Sequence, residues 1–329
     1  MAHLIPAPVL TQAPILAHYI RGDLVESVHR ASLVALDQAG QVAFSHGGID
    51  SPIFPRSALK PIQALAMVRA GLDLPPDLLA LVCASHSGEP FHLDGVERIL
   101  TGAGLSVDDL QNTPSLPLGE GAARDWLRTG RGETSLTQDC SGKHAGMLAT
   151  CVHNDWGTTT YRDPDHPLQQ AILATVAELS GESPGPISVD GCGAPLIAIS
   201  LTGLARAFAT LATAAADTAE GRVADAIREA PHYVGGTDRD VTALISGTPG
   251  LIAKDGAEGV YAAALDDGRA VALKLAEGGS VTGSSRARPV IMAAALRRLG
   301  VESTAYPALE NAPVLGHGEP VGSIVAVDV

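Results

Sequence analysis

Pro55-Arg56-Ser57-Ala58-Leu59-Lys60 is the stretch from which this chain is best read. Helical periodicity runs from about Ser57 to Arg69, Pro61 sits in the first turn where a missing N–H costs little, and Gly71 supplies a C-terminal stop. Ser57 and Lys60 are three residues apart, so they share one helical face and the lysine amine can reach the serine hydroxyl. A neutral amine there takes the hydroxyl proton and leaves the oxygen to attack a carbonyl carbon. A serine and a lysine at this spacing also occur as a capping residue beside a solvated charge. What separates the two cases is the scarcity of lysine: of 22 Lys and Arg, only Lys60, Lys143, Lys254 and Lys274 are lysines. Arginine keeps its charge in proteins, whereas a desolvated lysine can lose its proton near neutral pH, so a retained lysine is a candidate base. Lys274 lies in the alternating run Ala270–Leu275 and reads as an ordinary solvent-side strand residue.

Upstream of that helix, Leu24 to Asp37 reads as a strand, Gln38–Gln41 as a turn and Val42–Ser45 as its hairpin partner. Downstream, helices are expected over Cys140–His153, His166–Leu179, Ile197–Ala216 and Arg222–Glu229, with a short buried strand at Pro186–Val189. The last quarter returns to strands at Gly259–Leu265, Ala270–Leu275 and Ser323–Val327, with a helix over Pro289–Leu299. Strands at both ends around a helical middle imply an α/β (α+β) fold in which one antiparallel sheet takes strands from both ends of the chain. The expected organisation is one domain over 1–329, with a sheet lobe from 20–50 and 250–329 and a mainly helical lobe over 57–250. Regular βα alternation, which a Rossmann fold or a TIM barrel needs, is missing.

Composition narrows the function. With 329 residues, 46% hydrophobic and 18% charged, the chain is that of a compact folded protein. A net charge of −14 argues against nucleic acid and anionic membrane surfaces as partners. No apolar run approaches the ~20 residues that span a bilayer, and the N-terminus has no basic n-region, so a cytoplasmic location is expected. Cys83, Cys140, Cys151 and Cys192 are then buried thiols, ligands or catalysts rather than disulfide partners.

Two further groups of residues carry chemistry. Lys254, in Ile252–Gly256, resembles the lysine of the K-[ST]-G strand of serine β-lactamases and penicillin-binding proteins, and Ser85 in Ala84-Ser85-His86 fits the helical-lobe serine of that set. A surface turn and a loop-capping serine are the plainer alternatives. Asp139-Cys140-Ser141-Gly142-Lys143-His144 is answered by Asp190-Gly191-Cys192-Gly193. Two thiolates with nitrogen or oxygen donors suit Zn²⁺, with His144 as the natural nitrogen, although the C-x-x-C pair of many zinc sites is absent and two buried cysteines fit as well.

Taken together these segments resemble the rhizobial-type L-asparaginase family, over nearly the whole chain. The match runs through Arg21-Gly22, Val25–His29, Pro55–Lys60, Ala84–Glu89, Cys140–His144, Asp190–Gly193 and Lys254 with Gly256–Val260. The resemblance implies a β-lactamase-like fold, a homodimer, and hydrolysis of L-asparagine to L-aspartate and ammonia. It implies two serine–lysine tandems, Ser57 with Lys60 and Ser85 with Lys254, and a Zn²⁺ held by Cys140, Lys143 and Cys192. Asp190 matches a position near metal and substrate; Arg56, Gly88, Glu89 and His144 match other positions around the substrate. Competing readings are another serine–lysine amidase or peptidase acting on D-amino-acid amides or β-lactams, and a non-catalytic zinc-binding protein.

Overall fold

The structure is a computed structural model describing residues 7–279, 286–310 and 312–329. In chain order the strands are β1 (Ile15–Arg21), β2 (Leu24–Leu36), β3 (Val42–His46), β4 (Ile187–Val189), β5 (Pro195–Ile197), β6 (Leu251–Gly256), β7 (Val260–Leu265), β8 (Ala270–Leu275), β9 (Ala312–Gly316) and β10 (Glu319–Ala326). Eight of them form one antiparallel sheet in the order β6-β7-β8-β2-β1-β10-β9, with β3 paired to β2. Both ends of the chain therefore build the sheet, and between β3 and β6 lie helices and the small β4–β5 ribbon.

The long strand β2 joins two environments. Its first half pairs with β1 and is largely exposed, whereas Ala31–Leu36 is buried and pairs with β8. Every residue of β6 and β7 is buried. Successive strand residues face opposite sides, so both faces of this part of the sheet are covered. The helix Leu201–Ala212 packs on β7, β8 and β2, and the helix Ala287–Arg298 on β8, β10 and β1. Alanines at 262–264, 270 and 272 keep that surface flat, which lets the helices approach closely. Burying Leu204, Phe208 and Leu211 of the first helix contributes about 1.5–3 kcal/mol each.

Three elements differ from the sequence expectation. The segment Leu251–Gly256 is a strand of its own, not the lead-in to Val260–Leu265, and it forms the end of the sheet. The segment Ile187–Val189 is an exposed ribbon rather than a buried strand, because its only partner is the three-residue β5. The expected helix from Ile197 begins at Leu201, where the Ser200 hydroxyl caps it by accepting from the Gly203 N–H. Among the described residues no helix is long and apolar enough to cross a membrane.

Candidate active site

Ser57 does not begin an α-helix. Arg56–Leu59 is a turn of 3-10 helix, and the α-helix starts at Lys60 and runs to Arg69. Arg56 enters that turn with φ of 53°, in the left-handed region that costs a side-chain-bearing residue about 1 kcal/mol. Its guanidinium is tied down: Nε and Nη2 both lie 2.8 Å from Asp190 Oδ1. Backbone strain directly before a serine, held by an ion pair from a distant loop, is typical of functional turns. Ser57 is 7% exposed, and its hydroxyl has no hydrogen-bond partner among the described residues.

Lys60 is 1% exposed. Its amine donates to the Ala84 carbonyl and to Ser85 Oγ at 3.2 Å, with Asp139 Oδ2 at 3.9 Å. Burial pushes this amine down, but Cys140 and the Asp139 carboxylate more than offset it, and the amine stays above its ordinary value.

Lys254 is buried on β6, and its amine donates to the carbonyl and the carboxylate of Asp255. Burial, with the nearby Lys60 charge, lowers it to about 8 against the attraction of Asp255. It forms no hydrogen bond to Ser85 or Ser57. The sheet and the Ser57 turn meet here nonetheless, because β6 packs against that turn: a Cβ on Gly256 would lie 2.6 Å from the Pro55 carbonyl and 3.1 Å from the Ala58 nitrogen. Lys274 is only partly buried and donates to the Glu258 carbonyl at 2.7 Å.

The Ser85–Glu89 segment is a loop fixed by histidines. His86 accepts from the Gly88 N–H at Nδ1, which leaves Nε2–H to donate to Ser141 Oγ at 2.8 Å. Its ring stacks on His92, at 5.1 Å between centroids. Gly88 has φ of 76°, and a Cβ there would strike Pro117. Glu89 caps the helix Pro90–Gly102 and accepts from both the N–H and the hydroxyl of Thr237, at 2.8 and 2.6 Å. Gly88 and Glu89 therefore shape the loop, and Glu89 also holds the Gly235–Thr237 segment.

Behind Lys60 lies the thiol pair. Cys140 is the N-cap residue of the helix Ser141–His153, and Cys192 follows β4 in the tight loop that Asp190 closes by accepting from the Gly191 N–H. The two cysteines are buried together with Ala194. Lys143 Nζ donates to Cys192 Sγ at 3.3 Å. A hydrogen bond from Cys140 and the charge of Lys143 hold the Cys192 thiol well below its ordinary value. His144 bonds Tyr161 through Nδ1 at 2.7 Å, and its buried Nε2 has no partner. Among the described residues no three His, Cys, Asp or Glu side chains are grouped as metal ligands.

The site thus brings Ser57, Lys60, Ser85 and Lys254 to the junction of sheet and helices, with Arg56 and Asp190 at one side and Cys140, Lys143, Cys192 and His144 behind. Sequence reasoning missed Arg239, Asp255, Asp139 and Tyr161. Asp139 and Asp255 adjoin singled-out residues, which was an available signal; Arg239 and Tyr161 reach the site only through tertiary folding.

No curated protein matches the chain significantly by sequence. Among solved structures it is similar to a β-lactamase from Mycobacterium bovis, with 15% identity, a TM-score of 0.43 and coverage of 82% of this chain and 94% of that one. It is similar also to the hydrolase EstCE1, which has promiscuous acyltransferase activity, at 12% identity, a TM-score of 0.44 and coverage of 87% and 94%. A third is simvastatin synthase from Aspergillus terreus, at 10% identity, a TM-score of 0.40 and coverage of 82% and 90%. The profile of one family extends over residues 17–326, nearly the whole chain, and the protein belongs to that family, L-asparaginase II.

Proposed function

We propose that the protein hydrolyses L-asparagine to L-aspartate and ammonia through an acyl-enzyme on Ser57. Membership of the L-asparaginase II family supports a hydrolytic amidase. The observation that carries the catalytic reading is the pair of buried amines near two serines: Lys60 on Ser85 Oγ, and Lys254 lowered to about 8 beside the Ser57 turn. An amine near neutrality can accept a proton at physiological pH and return it later in the cycle.

On this reading the Ser57 hydroxyl proton passes to the neutral Lys254 amine, the one lowered toward neutrality, while Oγ bonds to the side-chain amide carbon. The protonated amine then gives its proton to the amide nitrogen, the C–N bond breaks, and ammonia leaves. Water repeats the cycle: it gives a proton to the same group, adds to the acyl carbon, and Ser57 recovers its proton as aspartate departs. Arg56, paired with Asp190, presents cationic N–H groups for the substrate carboxylate. Gly88, Glu89 and His144 complete the substrate's surroundings.

Zinc is compatible with the residues behind Lys60. Two thiols, the Lys143 amine and the orphaned His144 Nε2 make a soft nitrogen–sulfur donor set. Cys140, Lys143 and Cys192 would hold the ion, which when bound would supply a Lewis acid for the α-amino and carboxylate groups of the substrate. The reading includes a cytoplasmic homodimer, which light scattering and fractionation check.

The deciding experiment measures ammonia release from asparagine, glutamine and a D-amino-acid amide by wild type and Ser57→Ala. Asparagine should be preferred over glutamine by roughly tenfold or more in kcat/KM, the range that one methylene commands. Release from the D-amino-acid amide alone would replace this reading with the broader serine–lysine amidase.

A further inference from the structure

The buried charges around Lys254 outnumber what one base requires. Asp255 is fully buried, and its two carboxylate oxygens divide their partners. Oδ1 accepts from Lys254 Nζ, while Oδ2 accepts from Arg239 and, at 3.5 Å, from Arg288. Arg239, the N-cap residue of the helix Asp240–Gly247, turns its other Nη to the Ser85 carbonyl at 3.2 Å. Arg288 donates to the Gly256 carbonyl at 3.0 Å and to Asp240 at 3.4 Å.

Neighbouring residues of a strand face opposite ways, so Lys254 and Asp255 should not meet. The Lys254 amine nonetheless reaches both the carbonyl and the carboxylate of Asp255. Without something holding the carboxylate, a lysine so placed has many rotamers to choose from, and fixing them costs up to about 2 kcal/mol. Arg239 is that hold, and its second bond ends on the backbone of Ser85 itself.

We propose that Asp255, held by Arg239, is the positioning residue of Lys254, and that the continuous chain Ser85 carbonyl–Arg239–Asp255–Lys254 fixes the second amine across the interlobe junction. The inference rests on the amidase reading for its catalytic meaning, but not for its geometry. The charged and titratable groups around Lys254 are Asp255 on its own strand, Arg239 and Arg288 through Asp255, Lys60 from the helix Lys60–Arg69, and the Cys83 thiol after the helix Pro76–Val82. Asp255 raises the amine, while Lys60 and Arg239 lower it.

The four lysines of the chain make this directly testable, because ¹³C-lysine-labelled protein gives only four ε-carbon signals. The Lys254 signal, assigned with Lys254→Met, should titrate near 8 in wild type. Asp255→Asn should move it down by about one pH unit, and Arg239→Gln should move it up by about half a unit. Both variants should lose roughly 10²-fold in kcat for ammonia release with KM within threefold, since an amine out of place damages the chemical step rather than binding. A merely structural ion pair would lower the melting temperature and shift the Lys254 titration through its charge alone but leave kcat where it was, and an unchanged kcat in either folded variant overturns the proposal. Arg239 is the more exposed partner, so Arg239→Gln keeps the test available where Asp255→Asn does not fold. If wild type released no ammonia, the amidase reading would fall, and the order of the Lys254 ε-carbon, read by its ¹³C relaxation, would still decide the strut: Arg239→Gln should mobilise it, and unchanged relaxation overturns the proposal.

Discussion

Lys60 donates its hydrogen bond to Ser85 and not to Ser57, the residue one 3-10 turn before it. The i, i+3 spacing predicts that the two side chains meet, but the Lys60 amine is bonded to Ala84 and Ser85 instead. That amine thus links Ala84 and Ser85, and the Ser57 hydroxyl is without a partner among the described residues. Neither tandem implied by the sequence is closed by its own serine–lysine hydrogen bond, because Lys60 bonds Ser85 and Lys254 bonds Asp255.

That linkage sets the first prediction. Ser57→Ala should lower kcat for asparagine by roughly 10⁴-fold or more, and Ser57→Ala/Lys60→Ala should be little worse than Ser57→Ala alone, because groups acting on one step do not contribute additively. Ser85→Ala should also lower kcat markedly, since it removes the acceptor of the Lys60 amine. Steady-state ammonia assays check all three; a Ser57→Ala enzyme with a tenth of wild-type turnover would remove Ser57 from the role of nucleophile.

The second prediction separates the lysines. Lys254→Arg should be nearly as damaging as Lys254→Ala, because arginine cannot become neutral and its fork does not fit the space taken by one ammonium. Lys274→Arg should leave kcat within about twofold, since Lys274 is partly exposed and holds a backbone carbonyl that arginine can also hold. Side-by-side kcat measurements test the assignment, and a dead Lys274→Arg with an active Lys254→Arg would reverse it.

Much of this architecture is legible in the sequence, for reasons that can be named. The second half of β2 is continuous Ala-Ser-Leu-Val-Ala-Leu, and a strand covered on both faces has to be written that way. The helix Ser141–His153 could be placed because small and apolar residues recur at helical spacing after Cys140. The strand β6 was hidden because it contains Lys254, Asp255 and Gly256, residues depleted from strands, and its burial depends on charges supplied by Arg239 and Arg288. The ribbon at Ile187–Val189 misled in the opposite direction: Ile187 and Val189 are apolar, but no element among the described residues covers them. The site followed the same division. Ser57, Lys60 and Lys254 stood out because lysine is scarce, while Arg239 looked like any other arginine.

The third prediction concerns pH. Lys254 has an ordinary value of 10.5 and is lowered to about 8 in the folded protein. Its neutral fraction rises as pH rises through about 8, so kcat/KM should climb between pH 6 and 8 and level off above. Stability carries the same sign. Between pH 8 and 10.5 the unfolded lysine holds a proton that the folded one has lost, so the unfolded state binds more protons and stability increases with pH across that window. The whole shift corresponds to about 3 kcal/mol, fully unfavourable below pH 8. Denaturant unfolding of wild type at pH 7 and 9 should show the gain, and Lys254→Met should abolish it. An unchanged difference in Lys254→Met would assign the effect to another group.

The fourth prediction concerns zinc. Purified protein should contain about one Zn²⁺ per chain, lost in Cys140→Ser and in Cys192→Ser, because a thiolate pair beside an amine is a soft site that a hydroxyl does not reproduce. Lys143→Arg should lose it as well: the Lys143 amine lies against Cys192, and a ligand amine must give up a proton that arginine keeps. The proposed role of the ion is to bind the substrate's α-amino and carboxylate groups rather than to make hydroxide. Loss of a contact present equally in ground and transition states raises KM and spares kcat. Chelated enzyme should therefore show a raised KM with a smaller loss of kcat, and it should still form the Ser57 acyl-enzyme. A metal that generated the nucleophile would give the converse, a collapse of kcat with no acylated Ser57, because the attacking oxygen would then come from water. Mass spectrometry of quenched turnover mixtures distinguishes the two, and elemental analysis without zinc in protein expressed with ample zinc would remove the metal from this site.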